Sequence, residues 1–390
     1  MKLRIHRYDD NIIEDLGISF AFTNSERNQL GCPRQWYFSY SQGLSTKRTS
    51  NAFAWGIAWH MLMEDLFNFW KEHDRLINHT DPFFNESFDK IEEFLEEEQA
   101  NSEEVIKDMR IALEGYLIRY GDIFTQFRVV EVECALRYPI KDFNGNLFKT
   151  HLYLERIGDR LEIANIDAKK KIEYTMPFWV IGRADAIVQS RSSGELFVFD
   201  HKTTGSIKRF LSTCEVDPQL CSYAAMLEYE KTEGYLQKYK NNKVGGIIYG
   251  LTSNQSTSEP KVLKNGTFSK AKSNKIPSWV FKKFAGKDEL YSSHLENLKD
   301  NVDPLWHQRM YYPLDRNSIN RWKMESYGTA RRLADMYRCL SLFEDADSWV
   351  APRVPTCKST GYCQFKEVCL NDNHIMRSYY KKENRIYWSK

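Results

Sequence analysis

No uninterrupted apolar run in the chain is long enough to cross a bilayer. The opening residues, Met1-Lys2-Leu3-Arg4-Ile5-His6-Arg7, lack the apolar stretch of a secretory signal. A cytoplasmic protein is implied, in the host cytoplasm if the source is viral. A fixed-period repeat and a long low-complexity tract are also missing, which excludes solenoids and disordered linkers as the main architecture. No Gly-x-x-x-x-Gly-Lys-Ser/Thr loop occurs, so nucleotide-driven unwinding by this chain is not expected. Tight Cys-x-x-Cys knuckles of the kind that zinc favours are absent. Excess charge is lacking too: 55 Lys and Arg against 53 Asp and Glu leave a net +2. A nucleic-acid groove would therefore have to come from local clustering of cations.

What is present suits a folded soluble protein. Of 390 residues, 42% are hydrophobic and 28% charged, enough for a sizeable core. Aromatic residues are plentiful, with 10 Trp, 22 Tyr and 23 Phe. Most such rings fill a core, and some could stack on unpaired bases. The eight cysteines need an explanation other than disulfides in a reducing compartment. Cys134, Cys214, Cys221 and Cys339 are scattered and read as plain buried thiols.

Along the chain, the first third reads as helical. Ser25 can cap a helix carrying Leu30, Trp36, Tyr37 and Tyr40, and Asn51 to about Asp74 forms a second helix. Acidic-faced helices follow near 83–99 and 102–120. Strand patterns then take over at 127–136, at 178–188 and at 196–200, with turn signals at Asn144-Gly145, Gly158-Asp159 and Ser192-Ser193-Gly194. Asp217 or Pro218 opens a helix to about Tyr229, and Val244 to Gly250 is a buried strand. The stretch 256–285, rich in Lys, Ser and Asn, reads as a surface excursion. Helices return near 287–300 and 316–343.

One constellation stands out. Asp185 lies on a strand, and fifteen residues later the next strand ends in Asp200-His201-Lys202. The two strands read as a hairpin, so both carboxylates can converge on one point. Asp200 and Lys202 are two apart and share a strand face. Hard carboxylate oxygens suit Mg²⁺ or Mn²⁺. A metal held there would polarise a scissile phosphate and help generate hydroxide, with the Lys202 charge alongside. The alternative is an exposed hairpin with solvated charges. Apolar Ile181, Val198 and Phe199 before the carboxylates favour buried strands, where an unpaired charge is costly and a metal is the usual remedy.

Here the chain resembles a known family. Gly182-Arg183-Ala184-Asp185 and Phe199-Asp200-His201-Lys202-Thr203-Thr204 are similar to motifs II and III of RecB-like PD-(D/E)XK nucleases. Gln219-Leu220-Cys221-Ser222-Tyr223 resembles the Gln-x-x-x-Tyr helix motif, and Gly56-Ile57-Ala58-Trp59-His60 the helical histidine motif. The likeness covers most of the chain and extends to CRISPR-associated RecB-like exonucleases and AddB nuclease domains. It implies a restriction-endonuclease-like α/β fold with a mixed central sheet. It implies that His60, Asp185, Asp200 and the His201 backbone carbonyl bind the metal. Lys202 would position or activate water, and Gln219 and Tyr223, four apart on one helix face, would hold the lysine and the DNA backbone. Glu131 best fits the place of the strand glutamate before motif II, with Glu133 one alternation away.

The other cysteines form a second constellation. Cys357, Cys363 and Cys369 are separated by five residues each, and Cys32 lies far upstream in Gly31-Cys32-Pro33-Arg34. Four thiolates can hold a 4Fe–4S cluster or a zinc ion, and unrelated buried thiols are the alternative. The arrangement also resembles the iron–sulfur staple of the AddB and CRISPR-associated groups, although that family often places its middle cysteines closer together.

The expected architecture is one nuclease module. A helical N-terminal region, 1–125, carries Cys32 and His60. A core, 126–255, carries the carboxylates, and a C-terminal region, 256–390, carries helices and the cysteine staple. The implied activity is Mg²⁺- or Mn²⁺-dependent hydrolysis of DNA from an end, on single-stranded or free-ended DNA. Recombination, repair, phage replication or a CRISPR-type complex would be its setting. A non-cutting DNA-end-binding subunit and a structure-specific endonuclease are the alternatives.

Overall fold

A computed structural model describes residues 20–46, 51–98, 100–157, 160–164, 168–214, 217–256, 263–264, 276–285, 292–343, 363–370, 377 and 380–382. Its strands are β1 (Phe20–Thr23), β2 (Leu44–Thr46), β3 (Phe127–Pro139), β4 (Lys149–Ile157), β5 (Arg160–Ile163), β6 (Ile172–Ser190), β7 (Leu196–Thr204), β8 (Val244–Ser253), β9 (His307–Pro313) and β10 (Tyr380–Lys382). The longer helices are α1 (Asn51–His73), α2 (Phe83–Glu97), α3 (Ser102–Tyr120), α4 (Pro218–Thr232), α5 (Ser278–Ala285), α6 (Ser292–Asn301) and α7 (Arg316–Leu342). No described helix is long and apolar enough to cross a membrane.

The main sheet runs β5-β4-β6-β7-β8-β9, with β1 and β3 also pairing to β6. The 19 residues of β6 make it the hub. Its first part pairs antiparallel with β4, and Phe178 to Ile181 take β1 in parallel. Its second part pairs antiparallel with β3 and then with β7. β7 and β8 run parallel. A parallel pair needs a crossover, and α4 supplies it.

Both faces of this sheet are covered. Val130, Ile187, Val198 and Ile247 share one core cluster with Met226 and Leu227 of α4 and Trp322 and Leu333 of α7. Val129, Ala186, Phe199 and Ile248 share a second with Trp59, Leu66 and Phe67 of α1, Ile91 of α2 and Leu113 of α3. Each neighbouring pair, such as Val198 and Phe199, thus divides between the two faces, as a period of two requires. Strands buried on both sides read as near-continuous apolar runs, and nine of the ten residues of β8 are buried.

A third cluster forms between β8 and β9, where Ile276, Trp279, Val280, Phe281, Leu298, Val302 and Trp306 pack together. Ser278 fixes this insertion internally, its N–H and hydroxyl both donating to Asp303 at 2.7 and 2.5 Å. Trp279 docks it on α3, with the indole N–H donating to the Ile111 carbonyl at 3.2 Å. The surface excursion read from 256–285 therefore contains a helix and an anchor.

The two ends of the described chain meet. β10 pairs antiparallel with β2, the Phe38 and Phe365 rings lie 5.8 Å apart, and Arg377 donates to Gln42 at 3.3 Å. A metal staple is the sequence expectation for this junction. Among the described residues, however, no group of three or more His, Cys, Asp or Glu side chains is arranged to hold a metal ion. Cys32, Cys363 and Cys369 consequently form no such group, and Cys357 lies outside the described residues. Among the described residues, strand pairing and aromatic packing contribute to the junction. Cys363 and Cys369 lie against the same cluster that contains Phe38, Phe365 and Val368.

Gly115 allows the insertion to dock: a Cβ there would stand 2.2 Å from the Trp279 ring. Exchanging a helical glycine for alanine ordinarily stabilises by about 1 kcal/mol. Here Gly115→Ala should instead destabilise by roughly 1–3 kcal/mol, the usual penalty of overpacking. Denaturant melts give the sign directly, and a stabilised variant would contradict the Trp279 contact.

Candidate active site

The ladder between β6 and β7 runs from Gln189↔Leu196 to Ala186↔Phe199 and stops. The next residues in line are Asp185 and Asp200, so the two carboxylates oppose each other where the strands part. β7 nevertheless continues beside β8 as far as Thr204. Asp200 is 2% exposed. The break leaves the β6-facing edge of β7 without a ladder partner, and the His201 N–H uses it to donate to Asp185 Oδ2 at 2.5 Å. In a strand, a residue's N–H and C=O face the same neighbour. The His201 carbonyl is thereby directed to the same gap.

Two basic side chains flank the pair. His60, on α1, places Nδ1 3.2 Å from Asp185 Oδ1. Lys202 places Nζ 2.7 Å from Asp200 Oδ2. That oxygen is buried, with the ammonium beside it. Lys202 also lies above the ring of Tyr249, its ammonium 6.0 Å from the centroid. Tyr249 is the register partner of Asp200 on β8. The His201 ring turns away, between Phe67 and Phe199 at 4.9 and 4.8 Å, in the helical core.

Proton affinities follow this geometry. Burial raises Asp185, but His60, His201 and Lys202 outweigh it and hold the carboxyl well below its ordinary range. Burial raises Asp200, the Lys202 charge opposes the rise and the Asp185 charge adds to it, leaving Asp200 above its ordinary range. Burial lowers Lys202, yet Asp200 and then Asp185 reverse this and keep its proton firmly bound. Burial alone would lower His60, and Asp185 turns the balance upward. The His201 imidazole is driven down to about 3 by burial and stays neutral.

The helix α4 enters from the other face. Asp217 caps it, accepting from the Gln219 N–H at 2.9 Å. Gln219 donates to the Tyr223 hydroxyl at 2.8 Å, which donates to the Arg183 carbonyl at 2.6 Å. These bonds join the two residues to each other and to the backbone of β6, two positions from Asp185. Gly182 permits this approach, since a Cβ there would stand 2.8 Å from Met226 and 3.1 Å from the Tyr223 ring.

The strand glutamate at the site differs from the sequence expectation. Glu131 forms ion pairs with Lys71 at 2.9 Å and Lys238 at 3.3 Å. Glu133 lies opposite Asp185, bracketed by Val132↔Ala186 and Cys134↔Ala184. A register shift between Val129 and Glu131 and a φ of 51° at Glu133 mark an irregular strand here. Bulges re-aim side chains in this way, and simple alternation gives no sign of one. Glu133 pairs with Arg183. Burial, with Asp185 adding to it and Arg183 opposing, pushes the Glu133 carboxyl up to about 8. Glu64 of α1 is among the charges that raise it further.

The donor set is thus two opposed carboxylates, an imidazole and a backbone carbonyl, with Glu133 beside them. Hard oxygens in the majority fit Mg²⁺ or Mn²⁺. In the present arrangement the side chains pair with one another rather than converge on one point.

Glu133 gives a pH test. In the unfolded chain its carboxyl ionises near 4.5, whereas in the folded chain it stays protonated to about 8. Stability that is present below pH 4.5 should be lost as the pH rises towards 8 in metal-free protein. Glu133→Gln removes that loss. In EDTA, wild type and variant should melt together near pH 5, and the variant should melt roughly 2–5 °C higher at pH 8. A variant melting no higher than wild type at pH 8 would reject a protonated Glu133.

A family model described as the PD-(D/E)XK nuclease superfamily matches residues 27–370. No curated protein matches the chain.

Proposed function

The chain belongs to the PD-(D/E)XK nuclease superfamily, and from that premise we propose that it is a Mg²⁺- or Mn²⁺-dependent DNA exonuclease hydrolysing phosphodiester bonds from a free end. The observation that carries this reading is the pair of opposed carboxylates at the end of the β6–β7 ladder, with Lys202 against Asp200 and His60 against Asp185.

Asp185, Asp200, His60 and the His201 carbonyl are the residues that would hold the divalent ion, with Glu133 rather than Glu131 as the adjoining acid. The ion, when bound, supplies Lewis acidity towards the phosphate and acidifies a water. The chain's own residues do the rest. Lys202 keeps its proton and therefore serves as a fixed positive charge beside the phosphate rather than as a base. Tyr249 beneath and Asp200 beside it limit where that charge can sit. Gln219 and Tyr223 hold the β6 backbone that carries Asp185, so their role is positional. His60, pressed against Asp185 by α1, orients that carboxylate. Action from a free end, in recombination, repair, phage replication or a CRISPR-type complex, is the finer part of the proposal.

End-labelled linear DNA and closed circular DNA, each with and without Mn²⁺, test the reading. Linear DNA should be degraded and closed circles spared; rapid nicking of circles would establish an endonuclease instead. Asp200→Ala should abolish cleavage. Lys202→Ala should lower the rate by about 10²–10³-fold, as the loss of one preorganised charge does, while DNA binding in EDTA persists. Wild-type digestion by either variant would refute the site. The 4Fe–4S or zinc reading of Cys32, Cys357, Cys363 and Cys369 has no group of described side chains behind it. Iron and zinc analysis of anaerobically purified protein decides it, with about four irons per chain required for the cluster and about one zinc for the zinc site.

A further inference from the structure

One face of α1 follows β3 outward from the site. His60 meets Asp185 at 3.2 Å, Glu64 lies near Glu133, and Lys71 meets Glu131 at 2.9 Å. These three helix residues are four and then seven positions apart, the spacing of one helical face. Glu133 lies opposite Asp185. Glu131 is two residues further along β3, roughly 7 Å away.

A second lysine reaches Glu131. Lys238, in the short turn Gln237–Tyr239 that follows α4, places Nζ 3.3 Å from Glu131 Oε1, while Lys71 takes Oε2. The helices α1 and α4 cover opposite faces of the sheet, and Tyr239 packs against the α4 side. β6 occupies one side of β3, and among the described residues no other strand pairs with it. The two ammonium groups therefore meet at the outer edge of β3.

Charge is out of balance at that edge. Within the site each acid faces one base: His60 for Asp185, Lys202 for Asp200 and Arg183 for Glu133. Glu131 faces two, and the side chains of Lys71 and Lys238 are 38% and 61% exposed. Exposed ion pairs add little to stability, so a second lysine on one carboxylate contributes little to the fold. In a chain of net charge +2, attraction for nucleic acid has to come from such local excess.

We propose that Lys71 and Lys238 together take one backbone phosphate of the DNA strand held at the Asp185–Asp200 site, and that Glu131 is the counter-ion which that phosphate displaces. This rests on the nuclease reading above and adds a second point of contact with the substrate. Glu131 gathers the two ammonium groups in the free protein and loosens their hold on the strand. A contact to phosphate alone is independent of base sequence, as a strand that shifts after each cut requires.

The test separates binding from cleavage by working in EDTA. Wild type, Glu131→Gln, the double variant Lys71→Ala/Lys238→Ala and the triple variant combining all three changes are titrated with a fluorescent single-stranded oligodeoxynucleotide over a range of salt, thermal melts confirming that each is folded. The double variant should bind more weakly, and its plot of log affinity against log salt should be shallower by about 0.7, as for one lost phosphate contact on a single strand. Glu131→Gln should bind more tightly by roughly 2- to 10-fold, the strength of one or two exposed ion pairs that no longer compete. That gain should shrink to less than about twofold in the triple variant, which has no ammonium to release. Glu131→Gln no tighter than wild type overturns the proposal, and does so alone should the lysine variants not fold. An unchanged salt slope in the double variant overturns it too, as does an equal gain from Glu131→Gln with and without the lysines. Wild type that cuts DNA in Mn²⁺, with any of these results, leaves the nuclease reading standing. Wild type that binds as expected but does not cut keeps the phosphate contact and overturns cleavage. Wild type that neither binds nor cuts overturns both.

Discussion

Two carboxylates of like charge, opposed across a gap and removed from water, are the constraint around which this fold is arranged. Unpaired, such charges are among the most costly things a protein can bury. The structure meets the cost locally. Asp185 receives His60 and the His201 N–H, and Asp200 receives Lys202. The supply is uneven: Asp185 is held ionised while Asp200 is pushed towards its protonated form. Splitting the proton affinities of neighbouring acids is a recurrent property of sites that do chemistry. The same constraint explains why the β6–β7 ladder stops at Ala186↔Phe199. Continued pairing would engage the His201 N–H with β6 and deprive Asp185 of its donor.

Covering both faces of the sheet brings residues from distant parts of the chain to that gap. α1 contributes His60 from one side, and α4 contributes Gln219 and Tyr223 from the other. Each helix approaches closely at a glycine, Gly56 against Thr203 and Gly182 against Tyr223 and Met226. A side chain at Gly182 would collide with Met226 and crowd Tyr223, and one at Gly56 would crowd the Thr203 hydroxyl.

Much of this is legible in the sequence. The apolar runs of β6, β7 and β8, the hairpin at Ser192-Ser193-Gly194 and the long helices α1, α3 and α7 follow from local pattern, and so does the closeness of Asp185, Asp200 and Lys202. What escapes is set by distant partners. β9, with the sequence His307-Gln308-Arg309-Met310-Tyr311-Tyr312-Pro313, has few apolar residues and is a strand because β8 needs a neighbour. β1 is four residues long and exists through β6 alone. Ser25 resembles a cap, but Thr23 does the capping, and the helix breaks before Cys32. Glu133 rather than Glu131 lies opposite Asp185, beyond a register shift that no periodicity announces. The junction of the chain ends is made by pairing across more than three hundred positions, a relation without a local signature.

That junction has a consequence for how the protein is made. Trp36, Phe38 and Tyr40 are buried in a cluster that includes Phe365, Val368 and the distant helix α7. During synthesis these rings leave the ribosome more than three hundred residues before Phe365 and Val368, which cover them. Until then the nascent chain carries an uncovered aromatic surface beside a strand, β2, whose pairing strand β10 has not yet been made. Such surfaces and edges invite wrong associations and chaperone binding. A chain released short of Phe365 would keep Asp185, Asp200, Lys202 and His60 and still present that uncovered surface, so it should be cleared as misfolded rather than persist as a folded fragment.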